Sequence, residues 1–460
     1  MAETRRQFPD VFSHHDIIGD QCKFEKPLLK EIAEFEVIRG TSPQRTKIAE
    51  FIADLVQKQF LFGAGTESAP MEDAARITST PIPLVTRRWE SQTIAQPEPR
   101  FMHLEREIVG QAAIADWFGS LRDARLITVE ACKGLVWASE RTDDPDWIER
   151  HLHGEKFALL GGTAELSPIR ELLMAGADVF TTHRSVEKFE KLITQKVGPV
   201  SPAGRLFYTN DNSDLLTHWP AIADTIIESF SEGRRIHVCA IAYAGGQGQE
   251  WRLSAAMDGV IRRIRAAGLL ASVTYYLSPS ITTEISADTA EVSKARFREA
   301  DTVAKRLLNT VLMGCLWQPN VIEYAGRHWS RSLLSAQGAS YIAANLFGKT
   351  YPAELYSETS GNTGNPITVS ANVGPISWTR STNVEATRAV LSQLGDFGIH
   401  VFEPATTRRL MYLLMIHDLF QAPQLRGSLF EKQVHGGVFT CPWSIEAVAR
   451  WIYLRKFATM

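Results

Sequence analysis

From residue 156 to about 380, short apolar runs alternate with longer stretches of helical periodicity. That alternation is the signature of buried parallel strands joined by helices. It predicts strands at 157–160, 177–180, 205–208, 235–243, 270–277 and 367–373. It predicts helices at about 165–175, 186–195, 219–231, 249–267, 288–316 and 330–347. Regular βα alternation at this spacing argues for a doubly wound parallel sheet, Rossmann-like, with helices on both faces.

The flanks read differently. Helices are expected at 27–39, 43–61 and 103–124, with a strand candidate at 126–129 and a short helix at 143–154. Ser42-Pro43 supplies a cap and first turn, and Ile48, Phe51, Ile52, Leu55 and Val56 form a core-facing stripe. Residues 63–100 carry five prolines among polar residues and are expected to be irregular. Beyond 384 the pattern is helical at 384–395, 405–420 and 444–456. The expected organisation is a mainly helical region over 1–150, a Rossmann-like domain over 151–384 and a helical extension over 385–460.

Composition narrows the classes. At 460 residues and 44% hydrophobic content the chain can bury a sizeable core, yet no apolar run reaches a membrane span. A net charge of −3 gives no reason to expect nucleic acid as a partner. The start lacks the apolar segment of a secretory signal, and the five cysteines form no C-x-x-C pair, so reduced thiols in a cytoplasmic protein are expected. His151 and His153 are two apart and do not share a helix face, so no metal pair is expected there. A homo-oligomer is compatible with the sequence.

Candidate chemistry centres on Lys156–Ser185. Phe157-Ala-Leu-Leu160 runs into Gly161, Gly162, Thr163, Ala164, Glu165 and Leu166, followed by a helical segment, Gly176 and a second strand. In such a unit glycines let the backbone approach a diphosphate, and the helix N-terminus offers amides and a positive dipole end. A plain strand–turn–helix connection would use the same glycines. The loop Ala244-Gly245-Gly246-Gln247-Gly248 closes another strand at the end where open sheets bind ligands.

In the order of these elements the chain resembles the short-chain dehydrogenase/reductase superfamily, and in its opening turn the divergent branch that includes enoyl-acyl-carrier-protein reductases. Gly161-Gly-Thr-Ala-Glu-Leu-Ser167 looks like that branch's looser glycine stretch. Ala240–Gly246 stands where the family has its N-A-G motif, with Tyr243 in place of the asparagine. Ser278 or Ser280 holds the place of the catalytic serine, and Gly374, Pro375, Ile376 and Thr379 are similar to the turn beside the nicotinamide. The resemblance covers about half the chain. It departs at the tyrosine–lysine pair, where the family has a lysine four, or in the divergent branch about seven, residues after its tyrosine: no Tyr-x-x-x-Lys occurs, and the candidate is Tyr341 with Asn345 four residues on and Lys349 eight residues on.

The resemblance implies an NADP(H)-dependent reductase of a carbonyl or activated C=C group. Its substrate would be a bulky small molecule or a carrier-bound acyl group. Tyr341 would deliver a proton, Lys349 would favour the phenolate, and Ser278 or Ser280 would donate to the substrate oxygen. At the end of the second strand Thr182, Arg184 and Ser185 stand with no carboxylate before Glu187, which favours a 2′-phosphate over a bare ribose. Arg184 starting the next helix in solvent is the plain alternative. The competing function is a non-redox dinucleotide-binding protein that lacks the pair.

Overall fold

The computed structural model describes residues 1–13, 17–18, 27–63, 68–74, 76–89, 100–103, 106–198, 201–243, 245, 248–312, 314, 316–359, 366–379, 382, 385–421 and 430–458. Among these, seven strands form the central sheet: β1 (Leu84–Arg87), β2 (Lys156–Leu160), β3 (Asp178–Thr181), β4 (Arg205–Thr209), β5 (Ile236–Ala240), β6 (Leu270–Leu277) and β7 (Thr368–Val373). Their order is β7-β6-β5-β2-β3-β4-β1; all pairings are parallel except β1 on β4. The chain winds outward from β2 to β4, returns to the far side of β2 at β5, and winds outward again to β7. The fold is therefore a doubly wound α/β sheet whose order reverses between β2 and β5.

Burial on both faces explains why these strands read as continuous apolar runs. Ala158, Leu160, Phe180, Val238, Val273 and Tyr275 point into one core. Their neighbours Phe157, Leu159, Val179, Leu206, Cys239 and Tyr276 point into the other. The first core is covered by α1 (Pro27–Thr41), α2 (Arg45–Gln59), α6 (Leu215–Asp224), α7 (Gln249–Ala266) and α11 (Ile445–Ala458). The second is covered by α3 (Val129–Thr142), α4 (Ile169–Met174), α5 (Val186–Val197) and α10 (Pro404–Phe420). No described helix is long and apolar enough to cross a membrane. Cys132, Cys239 and Cys441 are buried free thiols, while Cys22 and Cys315 lie outside the described residues.

Several expectations are corrected. The helix expected over 103–124 begins only at Gln111, because Arg100–His103 and Arg106–Val109 pair as a hairpin. Leu126–Thr128 is no strand: Thr128 caps α3, accepting a hydrogen bond from the Ala131 amide. The helix over 288–316 breaks after Ala300, and Thr302 caps a second helix at Val303–Val311. The helix expected from 330 starts at Ala339. Before it, Val321–Tyr324 and Arg327–Ser330 pair antiparallel across Ala325-Gly326, whose φ values of 49° and 75° suit a two-residue hairpin turn. Leu84–Arg87, inside the stretch expected to be irregular, is an edge strand.

A single helical column packs beside α7. It consists of α8 (Ala339–Ala344), a wide π turn (Asn345–Thr350) and α9 (Tyr351–Thr359). Two buried charge networks tie it to the N-terminal helices. Arg39 donates to Glu36 (3.0 Å) and to Glu354 (2.7 Å), and the Tyr351 hydroxyl also donates to Glu36. Asp258 accepts from Gln57 (2.9 Å), Tyr356 (2.9 Å) and Arg262 (2.7 Å). Arg39→Met strands two carboxylates, and a broken buried pair of this kind costs about 3–5 kcal/mol. Urea denaturation monitored by tryptophan fluorescence is expected to show that loss, and a loss below about 1 kcal/mol would refute the tie's importance.

Candidate functional site

The register between strands decides what meets at the sheet's carboxyl end. Leu160 pairs with Ala240, so Gly161 and Ala242 leave the sheet side by side. A Cβ on Gly161, whose φ is +107°, would lie 2.4 Å from the Ala242 Cα. Leu159 pairs with Thr181, and a Cβ on Gly162 would lie 2.2 Å from the Thr181 hydroxyl oxygen. Gly161 is thus required by the neighbouring backbone, and Gly162 by the Thr181 side chain. The Gly162 amide already donates to Thr181 Oγ1 (3.0 Å) and is spent there.

The helix after this turn starts later than the sequence suggested. Residues 164–168 form turns, with the Ala164 amide on the Gly161 carbonyl and the Ser167 amide on the Ala164 carbonyl. α4 runs only from Ile169 to Met174, capped by Pro168, which has no N–H to offer. Lys196 Nζ also donates to the Ala164 carbonyl. The six-residue helix is therefore no dipole-bearing anion site at the glycines.

A cavity of about 1300 Å³ opens over the point where the strand order reverses. Ligand sites usually occupy about 300–1,000 Å³, so this one has room for a dinucleotide and a second molecule. Gly161, Thr163, Ala164, Glu165 and Leu166 line it at the end of β2. Thr182, Arg184 and Ser185 line it at the end of β3; Ser185 caps α5 there, and Arg184 is more than half exposed and pairs with Asp214 (3.1 Å). Gly374, Pro375, Ile376 and Thr379 line it beyond β7. Gly162 and Gly245 are not among the lining residues, and Ala244, with Gly246 and Gln247, lies outside the described residues.

Ser278, Ser280, Tyr341 and Lys349 all line the same cavity. Leu277 pairs with Val373, and the Gly374 amide donates to the Leu277 carbonyl (3.0 Å), which brings the serine turn beside Gly374. The Ser280 amide donates to Ser278 Oγ (3.1 Å), while the buried Ser280 Oγ has no protein partner among the described residues. Asn345 links this turn to the helical column: its Oδ1 accepts from the Ser278 amide (3.4 Å) and its Nδ2 donates to the Tyr341 carbonyl (3.1 Å). Asn345, four residues after Tyr341, thus fastens the column to the turn after β6. Tyr243 stands edge-on to Tyr341, with ring centroids 6.0 Å apart.

The π turn bears on the eight-residue spacing. In a straight α-helix position i+8 lies about 80° round from i, whereas i+7 lies about 20° away. A wide turn takes up one extra residue, so Lys349 returns towards the face of Tyr341. The turn is seated by close packing: a Cβ on Gly348 would lie 2.2 Å from the Ser254 Cβ of α7, and Thr350 Oγ1 donates to the Asn345 carbonyl (3.1 Å).

Lys349 has no hydrogen-bond or ion-pair partner among the described residues, and burial lowers its pKa from 10.5 to about 8. Sequence reasoning missed several further lining groups, among them Lys188, Asp214, Glu250, Tyr276 and Arg408. Arg408, which pairs with Glu171 of α4 (2.9 Å), sits on a helix from the other end of the chain, and no local motif marks it.

No family model matches the chain, and no curated protein matches it in sequence. Among solved structures it is similar to the MalC reductase/Diels-Alderase of Malbranchea aurantiaca, at 12% identity and a TM-score of 0.37, over 65% of this chain and 99% of that one. It is also similar to a short-chain dehydrogenase/reductase of Serratia marcescens, at 15% identity and a TM-score of 0.35, over 63% and 99% of the two chains. For Gre2 of Candida albicans the values are 10% and 0.31, over 57% and 72%. Likenesses this distant carry no functional weight; the strand order and the cavity bear it instead.

The lysine yields a prediction about stability. Its folded-state pKa lies below the ordinary value, so the folded chain is penalised while the amine is charged: fully below pH about 8, and progressively less towards pH 10.5. Lys349→Met is expected to stabilise the protein at pH 7 by on the order of 1–3 kcal/mol. The gain should shrink between pH 8 and 10.5 in denaturant titrations; a gain independent of pH would disprove the penalty on the half-buried ammonium.

Proposed function

We propose that this chain is an NADP(H)-dependent oxidoreductase of the short-chain dehydrogenase/reductase type that reduces a carbonyl or activated C=C group on a bulky substrate. One observation carries the reading: a lysine unpaired among the described residues, a tyrosine and two serines line one cavity over the strand-order reversal. The residues present fit a dinucleotide. The volume suffices, and Ser280 Oγ and His183 Nδ1 are buried polar atoms in lining residues with no protein partner among the described residues. Gly161 and Thr163–Leu166 would hold the diphosphate, Arg184, Ser185 and Lys188 the adenosine end, and Gly374–Ile376 the nicotinamide.

When bound, the reduced dinucleotide supplies a hydride to the substrate carbon and leaves oxidised. The chain's own residues do the rest. Tyr341 gives its phenolic proton to the substrate oxygen, and a neighbouring ammonium favours the phenolate left behind. Ser278 or Ser280 donates to the same oxygen as charge develops on it. Lys349 suits its part because no described carboxylate neutralises it, and at neutral pH it is still mostly protonated with a pKa of about 8. Arg184 supports a 2′-phosphate through its guanidinium fork, although Asp214 competes for it.

NADPH is expected to quench the protein's fluorescence, and Tyr341→Phe to lower turnover about 100-fold or more with NADPH binding unchanged. Binding with turnover intact in that variant would move the chemistry elsewhere. Quenching without turnover on any carbonyl or enone would instead favour a dinucleotide-binding protein with no redox step. Arg184→Ala is expected to weaken NADPH about tenfold and to leave NADH nearly unchanged; equal effects on both would point away from a 2′-phosphate reader.

A further inference from the structure

The helix Val303–Val311 stands with its sides reversed. An amphipathic surface helix turns its apolar stripe to the core and its polar face to water. Here Val303, Leu307 and Val311, at intervals of four residues, are 72%, 66% and 74% exposed, and Leu308 beside them is exposed as well. At about 100° per residue the four cover an outward arc of roughly 140°. They are four of the twelve exposed large apolar side chains among the described residues, gathered on one helix of nine residues. The inward side is polar, and it is held in place. Asn309 Oδ1 accepts from the Leu316 and Trp317 amides (3.2 and 3.4 Å). Lys305 Nζ donates to the Ala300 carbonyl (2.9 Å) and lies over the Trp443 ring. The helix cannot roll its apolar face inward without giving up these contacts.

We propose that this face docks on the surface of a lipid bilayer carrying anionic headgroups, lying in the interface rather than spanning it. The inference stands apart from the redox reading. Charge favours that occupant: residues 302–322 contain Lys305 and Arg306 and no Asp or Glu. Arg306 pairs with Asp301 (2.9 Å), and with that carboxylate counted the segment is still net positive, two cations against one anion. Area argues against a second copy of the chain. A stable dimer buries about 800 Å² on each partner, drawn from roughly 20–30 residues a side. Four outward side chains on a nine-residue helix fall well short of that. A bilayer makes no such demand, because an amphipathic helix needs only to sink its apolar side chains between headgroups and acyl chains. The adjoining surface suits the same boundary. Trp317, which follows the helix, packs on Trp451 of α11 with ring centroids 5.4 Å apart, and both are half-buried. Tryptophan is favoured where one side is apolar and the other wet. Leu454, three residues beyond Trp451 on the same face of α11, is exposed. The same helix carries Ile445 and Tyr453 on the cavity wall, so a docked bilayer would lie against a helix that lines the cavity.

The test is co-sedimentation of the full-length protein with vesicles of phosphatidylcholine alone or of phosphatidylcholine with about one-third phosphatidylserine. The protein is expected to bind the anionic vesicles more tightly than the neutral ones, and less tightly as salt rises. Leu307→Glu combined with Val311→Glu is expected to weaken that binding at least tenfold. Both positions lie in solvent, so the fold does not depend on them. Leu307→Gln with Val311→Gln repeats the comparison if the glutamates disturb the helix. Leu61→Glu, at an exposed apolar position elsewhere, is expected to change nothing. No binding to anionic vesicles, equal binding to both vesicle types, binding indifferent to both pairs of substitutions, or an equal loss in Leu61→Glu would overturn the proposal. So would self-association in sedimentation equilibrium that the substitutions abolish while vesicles stay unbound, which would assign the face to a second copy.

Discussion

An ammonium group held without a counterion at the wall of a cleft is unstable where it stands, and the helix that bears it has to be fixed from outside. In this molecule the fixing is done by buried charge pairs on the opposite side of the column. Arg39 bridges Glu36 and Glu354, and Asp258 gathers Gln57, Tyr356 and Arg262. Such pairs add little net stability over apolar packing, but they tolerate only one register. That is the property a helix needs when one of its turns is a wide one. The N-terminal helices are therefore best understood as a brace: they hold the column from which Tyr341 and Lys349 face the cavity.

The part of this legible in the sequence is the part written in continuous apolar runs. Six of the strands stand within a residue or so of their expected starts because most of their positions are buried and apolar, so the few polar ones, such as Ser272 and Thr274, do not break the run. Leu84–Arg87 was invisible for the opposite reason. It is a half-buried edge strand within a proline-rich stretch, and its partner β4 lies far away in sequence. The hairpin at 321–330 failed to register because Ala-Gly is a weak turn signal and its strands are only four residues long. Boundaries near caps misled for a local reason: Thr128 and Thr302 are cap residues whose β-branched shape also reads as strand or interior.

At the site the same contrast holds. The glycine pair drew attention for its chemistry, but Gly161 and Gly162 are demanded by the neighbouring strand ends whether or not a ligand is present. Their presence alone therefore discriminates nothing. The discriminating facts are tertiary: which strand ends emerge together, and which side chains then share one wall. Asn345 shows why sequence spacing was a poor guide. Read linearly it displaces the expected lysine; in three dimensions it pins the column to the serine turn, while the wide turn carries Lys349 towards the vacated face. A wide turn adds one residue to the column, so an eight-residue separation in sequence spans about the rotation of seven in a straight helix.

The energetics of the cavity favour use over accident. An apolar wall alone is ordinary, and a lysine alone is usually a solvated surface group. A lysine that lines a cavity beside aliphatic side chains, its pKa lowered by burial to about 8 and with no partner among the described residues, is neither. Perturbed groups of this kind cluster where chemistry is done. Near the ends of β2 to β4 the wall carries Glu165, Arg184, Lys188, Lys196 and Asp214, while Glu250, bonded to Ser340, and Lys349 line it beside aliphatic side chains. A cavity of about 1300 Å³ whose wall carries both ionised and aliphatic side chains is larger and more varied than one small ligand needs.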